Sequence, residues 1–276
     1  SAYNSHVMVD TPITADEAGN IYFGFTVTGS TPLNLKSGIA RIAADGTGTW
    51  ISAGDVAGDN NMNEIPQNCA PALSADQSTV YVAVSDSFEG YLLGLNSTTL
   101  ARKYKVRLLD PLNHQDATVL DDSSASPTIG PDGDVYYGVV ENSFGDHNGR
   151  GWLLHYSADL TVTKTPGSFG WDNTAAVVPA SMVPSYTGSS SYLLMSKYNN
   201  YYGGGPTGKE FQHAYLAAYM WGLAIALGAL FWVTLQHLFN AKWSIVVRRL
   251  GELFASSWFA LFLLALPIIY PLAVHD

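Results

Sequence analysis

The sequence is short of the residues that would make several functions easy to build. It holds one cysteine, Cys69, among 276 residues. A single thiol excludes an intrachain disulfide and a cysteine-rich zinc or iron–sulfur site. Cys69 reads instead as a small buried residue in a strand. Charge is scarce at 13% of the chain, and basic charge is scarcest, with 13 Lys+Arg against 23 Asp+Glu. Residues 1–207 carry 20 acidic and 9 basic side chains, a net of −11. No basic stripe is available there to neutralise phosphates, which argues against a nucleic-acid partner. A nucleophile elbow, a phosphate-cradling glycine loop and a His/Glu zinc-helix motif are all missing. The chain opens at Ser1 with no basic n-region or apolar h-region. It reads as either a processed exported chain or a fragment.

Uncharged apolar sequence is plentiful, but only at one end. Ala214–Leu235 and Leu253–Val274 each run 22 residues without a charged side chain. At about 1.5 Å rise per residue, either helix would cross a hydrocarbon core of roughly 30 Å. The composition changes near Gly203–Lys209. We therefore expect two domains, a β domain over 1–205 and a transmembrane hairpin over 206–276, with spans 214–235 and 253–274.

The β domain repeats itself. A small or proline-containing run leads through a turn to an aromatic strand four times. Thr11-Pro12-Ile13 leads to Ile21-Tyr22-Phe23-Gly24, and Pro71-Ala72-Leu73 leads to Val80-Tyr81-Val82. Ser126-Pro127-Thr128 leads to Val135-Tyr136-Tyr137-Gly138, and Pro179-Ala180-Ser181 leads to Tyr192-Leu193-Leu194. The aligned residues Tyr22, Tyr81, Tyr136 and Tyr192 are 59, 55 and 56 positions apart. Further strands follow in equivalent places, at 38–42, 90–95 and 151–156, each ahead of a turn such as Asp45-Gly46 or Asn96-Ser97. About four strands per unit, repeated, predicts β-propeller blades. The units lie near 10–65, 66–120, 121–175 and 176–205. That makes three complete blades and half of a fourth, fewer than a closed propeller of four to eight needs. The expected fold class is thus a mainly β domain of incomplete propeller-like blades plus a two-helix hairpin. The missing remainder points to truncation, to completion by another chain, or to an open stack of sheets.

Candidate chemistry in the β domain is thin. His114-Gln115-Asp116 and Asp146-His147 put ligand-type residues in loops, and the histidines read as solvated. Asp132-Gly133-Asp134 offers carboxylates to calcium, but reads better as a hairpin turn. Asn96-Ser97-Thr98 fits a glycosylation acceptor, and a turn explains it equally well. We expect no catalytic residue and no metal site.

In the hairpin, Ala218, Gly222, Ala226 and Gly228 supply small side chains for close helix packing. Tyr215, Tyr219, Trp232 and Trp243 lie where aromatic belts form, and Lys242, Arg248 and Arg249 put the connector in the cytoplasm. His213 and His237 are about 36 Å apart along a straight helix and cannot share one metal. His237, Trp243, Arg248, Arg249 and Glu252 are the candidate quinol or headgroup contacts, with Glu252 close enough to pair with either arginine.

Two resemblances go further. The turn and aromatic-strand elements "DGDVYYG" and "GWLLHYSADL" make 12–202 similar to quinoprotein-like or kelch-like propeller repeats. The run His213–Phe254, with its aromatic start, "GLAIALG" packing run, "QHL" ending and Trp-to-Arg-Arg connector, resembles the first helical hairpin of a respiratory membrane subunit. That subunit is the quinol:cytochrome c oxidoreductase quinone-binding subunit 2 of alternative complex III, in the polysulfide-reductase membrane-subunit superfamily. Members of that family have about ten spans and this chain has two. The resemblance implies a non-catalytic subunit of a quinol-oxidising electron-transfer complex in a bacterial inner membrane. The β domain would then be periplasmic or extracellular. No cofactor would be held by this chain alone, with quinol bound only in the assembled complex. Its partners would be other membrane subunits and the lipid bilayer. Two alternatives stand beside it. One is an exported propeller-like binding or scaffold module tethered by the hairpin, with a protein or glycan ligand. The other is a fragment of a quinoprotein-type dehydrogenase.

Overall fold

The computed structural model describes residues 3–120, 125–198, 219–220, 223–231 and 233–234. The chain divides into two units, Ser1–Gly203 and Gly204–Asp276.

The first unit is mainly β and is built as a succession of antiparallel sheets. In the first sheet, β1 (Val7–Val9) and β2 (Thr14–Ala15) both pair with β3 (Ile21–Val27), followed by β4 (Gly38–Ile42) and β5 (Gly48–Ser52). A short helix, α1 (Ala53–Ala57), leads to the second sheet. That sheet runs in chain order through β6 (Ala72–Leu73), β7 (Thr79–Ser85), β8 (Gly90–Asn96) and β9 (Arg102–Arg107). The third repeats this order with β10 (Thr128–Ile129), β11 (Val135–Val139), β12 (Trp152–Tyr156) and β13 (Gly167–Ser168). The fourth has two strands among the described residues, β14 (Ala176–Pro179) and β15 (Tyr192–Met195). Successive up-and-down sheets of four strands are the topology of propeller blades.

Strand alternation explains how the sheets stack. Successive side chains on a strand point to opposite faces, so an inner sheet has one face towards the preceding sheet and one towards the next. Val80, Val82 and Val84 of β7 pack with Tyr22 and Ile39 of the first sheet. The opposite face of the second sheet, with Tyr81, Ala83 and Leu92, packs on Val135, Tyr137 and Val139 of β11. Tyr136 and Leu153, on the far face of the third sheet, pack with Tyr192 and Leu194. Strands buried on both faces need apolar residues at nearly every position, and β7 and β11 are buried throughout. By contrast, β3 is buried mainly on one face and β15 on neither.

The segments that lead into successive sheets are stitched to one another. Asn68 N–H donates to Asp10 O at 3.0 Å. Ala70 N–H donates to Ser126 Oγ at 2.9 Å, and Ser126 N–H donates to Thr174 Oγ1 at 2.9 Å. The turns also repeat. Gly19, Gln77 and Gly133 take positive φ at equivalent places, and the carboxylates of Asp76 and Asp132 each accept the N–H two residues on. Asp132-Gly133 is thus the expected turn, with φ of +87° at Gly133.

Three expectations need correction. Tyr22, Tyr81 and Tyr136 each face the next sheet, but Tyr192 faces back onto Tyr136, so it is out of register with the other three. Cys69 is fully buried, but it lies in the turn before β6 rather than in a strand. Its Sγ sits 3.9 Å from Tyr137 Oη, and burial pushes its thiol up to about 11. Finally, basic charge is locally concentrated: β9 alone carries Arg102, Lys103, Lys105 and Arg107. These side chains are occupied within the fold. Arg102 and Lys105 donate to Val56 O and Ala57 O at 2.9 and 2.7 Å, covering the C-terminal carbonyls of α1. Lys103 donates to Thr79 Oγ1 at 2.6 Å, and Arg107 pairs with Glu89 and Asp116. A charged outer strand also blunts the sheet edge against further pairing.

Of the second unit, the described residues within 219–234 are helical, with Ala226 and Val233 buried. Among the described residues no helix is long and apolar enough to cross a membrane. The expected span 253–274 lies outside the described residues, as do parts of 214–235.

Candidate functional site

The third and fourth sheets leave a groove of about 540 Å³ between them, lined by Asp132, Tyr136, Leu153, His155 and Tyr192 among others. It exists because of strand number. In the first sheet, β4 and β5 bring Ile39 and Ile51 against Leu93 and Leu95 of the following sheet. The fourth sheet offers no third strand among the described residues, so the outer part of the third sheet's far face stays open.

Two linked polar clusters line or border this groove. Tyr136 and Tyr192 share a hydrogen bond of 2.7 Å between their hydroxyls, with rings near perpendicular at 80°. Tyr192 Oη lies 2.9 Å from each oxygen of Asp132. Burial, then the hydrogen bonds with Tyr136 and Asp132, push the Tyr192 hydroxyl far above the ordinary tyrosine value. Tyr136 is raised too, chiefly by burial. On its other side Tyr136 stacks on His155, with centroids 4.3 Å apart and planes 22° from parallel. His155 Nε2 lies 2.8 Å from Asp134 Oδ2, and its Nδ1 lies 3.3 Å from Thr165 O. Lys164 donates to the same Asp134 oxygen. Burial works against ionisation of Asp134, but the hydrogen bonds from Lys164 and His155 together outweigh it and hold the carboxyl below its ordinary value. The Asp134 carboxylate in turn raises Lys164.

The register places these groups. Tyr136 and His155 are direct cross-strand partners on β11 and β12, and Asp132 and Asp134 lie in the turn that leads into β11. The arrangement offers the partly exposed Tyr192 ring, paired hydroxyls, a carboxylate and an imidazole along one wall. It can hydrogen-bond a hydroxylated ligand. Sequence reasoning reaches Asp132 and Asp134, which it reads as a turn, and Tyr136 and Tyr192, which it reads as repeat tyrosines. A signal for the rest is the repeat tyrosine followed nineteen positions later by a strand histidine.

The other ligand-type residues of the sequence lie elsewhere. Asp116 is held by Arg107. His147 is half-buried rather than free in solvent: it stacks on Trp152 at 3.7 Å and 2°, with Nδ1 3.0 Å from Gly151 O. His147 lies in the loop that wraps Glu141, a fully buried carboxylate, and Trp152 opens the strand that follows it. Glu141 accepts N–H groups from Gly145 at 3.1 Å, from Gly151 at 2.7 Å and from Gly149 at 2.5 Å. Asn96 Oδ1 accepts the N–H groups of Thr98 and Thr99 at 2.9 Å each, as a turn requires. Among the described residues, no group of three or more His, Cys, Asp or Glu is placed to hold a metal ion. Ala226 is buried, and a Cβ added at Gly228 would meet nothing within 4 Å. Ala218, Gly222, His237, Trp243, Arg248, Arg249 and Glu252 lie outside the described residues.

No family model matches the chain, and no curated protein matches it. Solved structures give distant likenesses. A luciferin-regenerating enzyme is 14% identical with a TM-score of 0.37, covering 64% of this chain and 51% of that one. The quinohemoprotein alcohol dehydrogenase of Comamonas testosteroni is 16% identical with a TM-score of 0.37, covering 59% of this chain and 21% of that one. A gluconolactonase of Xanthomonas campestris is 13% identical with a TM-score of 0.33, covering 59% of this chain and 48% of that one. The chain therefore spans about half the length of the first and third proteins and about a fifth of the second. At these scores the likenesses carry no argument about function, and the propeller-like architecture rests on the sheet succession itself.

Proposed function

We propose that this chain is a binding module, with its ligand site in the groove between the third and fourth sheets and its C-terminal segment serving as a membrane tether. The observation that carries the reading is the polar wall of Tyr136, Tyr192, Asp132 and His155 on an otherwise open groove. Aromatic rings cover the C–H faces of sugars, while carboxylate, imidazole and hydroxyl groups bond their hydroxyls, so the ligand class is a glycan. The tether reading rests on the uncharged runs 214–235 and 253–274, and it puts the β unit on the non-cytoplasmic side. Calorimetric titration of the full chain in detergent with an oligosaccharide panel tests the site. Binding of at least one oligosaccharide is expected, weakened about tenfold or more by Tyr192→Phe or Asp132→Asn, as the loss of a hydrogen bond to a charged group would do. No binding at millimolar oligosaccharide, or binding indifferent to both changes, would overturn it.

A second reading, a non-catalytic subunit of a quinol-oxidising complex, is favoured by the run 213–254 alone. In it, His237, Trp243, Arg248, Arg249 and Glu252 contact quinol or headgroups in the assembled complex. Mild extraction from native membranes tests this reading. Co-purification with haem-bearing and iron–sulfur subunits supports it, and isolation without them counts against it.

A further inference from the structure

The protons of the polar wall between the third and fourth sheets are already committed within the protein. An ionised carboxylate only accepts, and a tyrosine hydroxyl has one proton to give. Tyr192 Oη lies 2.9 Å from both oxygens of Asp132, so its proton goes to that carboxylate, the stronger acceptor. The hydroxyl is pushed far above the ordinary tyrosine value, so the proton stays on it near neutral pH. Tyr192 Oη then accepts from Tyr136, 2.7 Å away, which uses the Tyr136 proton. His155 aims one ring nitrogen at Asp134 Oδ2 and the other at Thr165 O, so it spends its N–H groups inside the protein. The wall of Tyr136, Tyr192, Asp132 and His155 therefore offers a ligand lone pairs rather than protons. Serine hydroxyls elsewhere along the groove, at Ser190 and Ser191, can give or accept.

The two carboxylates of the turn differ in how they are answered. Asp134 is buried, 7% exposed, and is held by Lys164 and His155. Asp132 is exposed, lines the groove, and has no basic partner among the described residues. It accepts the Tyr192 hydroxyl and, at 3.1 Å, the Asp134 N–H. A carboxylate has about four lone-pair sites, so Asp132 has room for further donors. The surrounding charge has the same sign, with a net of −11 over residues 1–207. Such a field favours cations and opposes anions.

We infer that the groove selects a glycan with free amino groups, a hexosamine whose ammonium sits on Asp132 while its hydroxyls donate to the Tyr136 and Tyr192 oxygens. Neutral glycans bind less well, and a glycan that places a carboxylate or sulfate against Asp132 is rejected. This inference rests on the reading of the groove as a glycan site.

The test is calorimetric titration of the full chain in detergent at about pH 6, where an amine is a cation and a carboxylate an anion. The probes are tetramers of glucosamine, of N-acetylglucosamine and of glucose, all in the same linkage. The glucosamine tetramer is expected to bind at least about fivefold more tightly than either neutral tetramer, as a charge-assisted bond at a partly exposed site would give. Asp132→Asn, which keeps an oxygen for the turn, is expected to erase that advantage with circular dichroism unchanged. Tyr192→Phe keeps the charge, so it is expected to weaken all three tetramers and leave the advantage in place. Raising salt from about 0.05 to 0.5 M is expected to shrink the advantage, because screening acts on the charged pair. No binding of any tetramer at millimolar concentration would overturn the glycan reading, and this inference with it. Neutral tetramers that match the charged one, or an advantage that survives Asp132→Asn or high salt, would overturn this inference and leave the glycan reading standing. So would tetralysine bound as tightly as the glucosamine tetramer, since charge without a sugar would then suffice. Should Asp132→Asn unfold, the salt series and tetralysine still decide.

Discussion

The two inner sheets and the two outer sheets of the β unit are made from one repeat, yet they are not equally held. The second and third sheets have neighbours on both sides, and β7 and β11 are buried at every position. The first and fourth have one neighbour each among the described residues. Equivalent residues therefore do different work: Val82 is fully buried, while its counterpart Phe23 faces a groove. Stability in this architecture belongs to the interface between sheets rather than to the sheet.

The largest expected contrast is chemical. Cys69, beside Tyr137 in the cluster between the inner sheets, should react with a disulfide reagent at about pH 8 at least about 100-fold more slowly in the native chain than in guanidinium. The thiolate is the nucleophile, and here it is both scarce and covered. Trp50→Cys, at low protein concentration, should add a thiol that reacts at close to the unfolded rate. Equal native rates at the two sites would break the comparison.

Truncation comes next. Tyr137→Ala should cost about 3–5 kcal/mol in denaturant unfolding, as large aromatic-to-alanine changes do in packed cores. Phe23→Ala, on the one-sided sheet, should cost about half of that or less at low protein concentration. Similar losses would mean that the first face is covered within the single chain. Glu141→Gln should cost about 2–3 kcal/mol, because an amide accepts through only one of its two ends and leaves buried glycine N–H groups unsatisfied. Loss of ordering in the 142–151 loop, seen as faster amide exchange, should accompany it.

Smaller effects are expected on the outer side of the third sheet. Asp134 has a lowered folded value, so its contribution is present above the ordinary carboxylate value of 3.8 and is lost as pH falls through the lower folded one. Asp134→Asn should flatten that acid limb of the stability profile. A limb unchanged by Asp134→Asn would contradict the roles of Lys164 and His155. Tyr192→Phe should cost no more than about 1 kcal/mol in stability, since it removes hydroxyl bonds at a partly exposed site.

How much of this was legible in the sequence depends on whether the signal was local. The turns were legible, because Asp132-Gly133 and Asp45-Gly46 need a positive φ that glycine supplies. The strands were legible, because Val80-Tyr81-Val82 and Val135-Tyr136-Tyr137 are apolar or aromatic at every position. The register of Tyr192 was not. Tyr81 pairs with Ala72 and Tyr136 with Thr128, each one residue past the repeat proline, whereas Tyr192 pairs with Pro179 itself. The connection from Pro179 to Tyr192 also holds a 3-10 turn, Ala180–Met182, and is longer than its counterparts. One residue of slip turns a strand over.

The site was the least legible part. Its groove arises from strands that the fourth sheet does not have among the described residues, and an absence between two sheets leaves no motif. Tyr136 could be read as a repeat tyrosine, but not as the centre of a wall with His155, Asp132 and Tyr192. Glu141 was invisible for a related reason. Its partners are backbone N–H groups, which composition does not show.

Amide hydrogen exchange on the full chain at low concentration tests the account most directly, because it reads each sheet separately. The slowest exchange is predicted in 79–96 and 135–156, which hold the central strands of the two inner sheets, and faster exchange in 7–9 and 176–195. Uniform protection across the four sheets, or slowest exchange in 176–195, would contradict it.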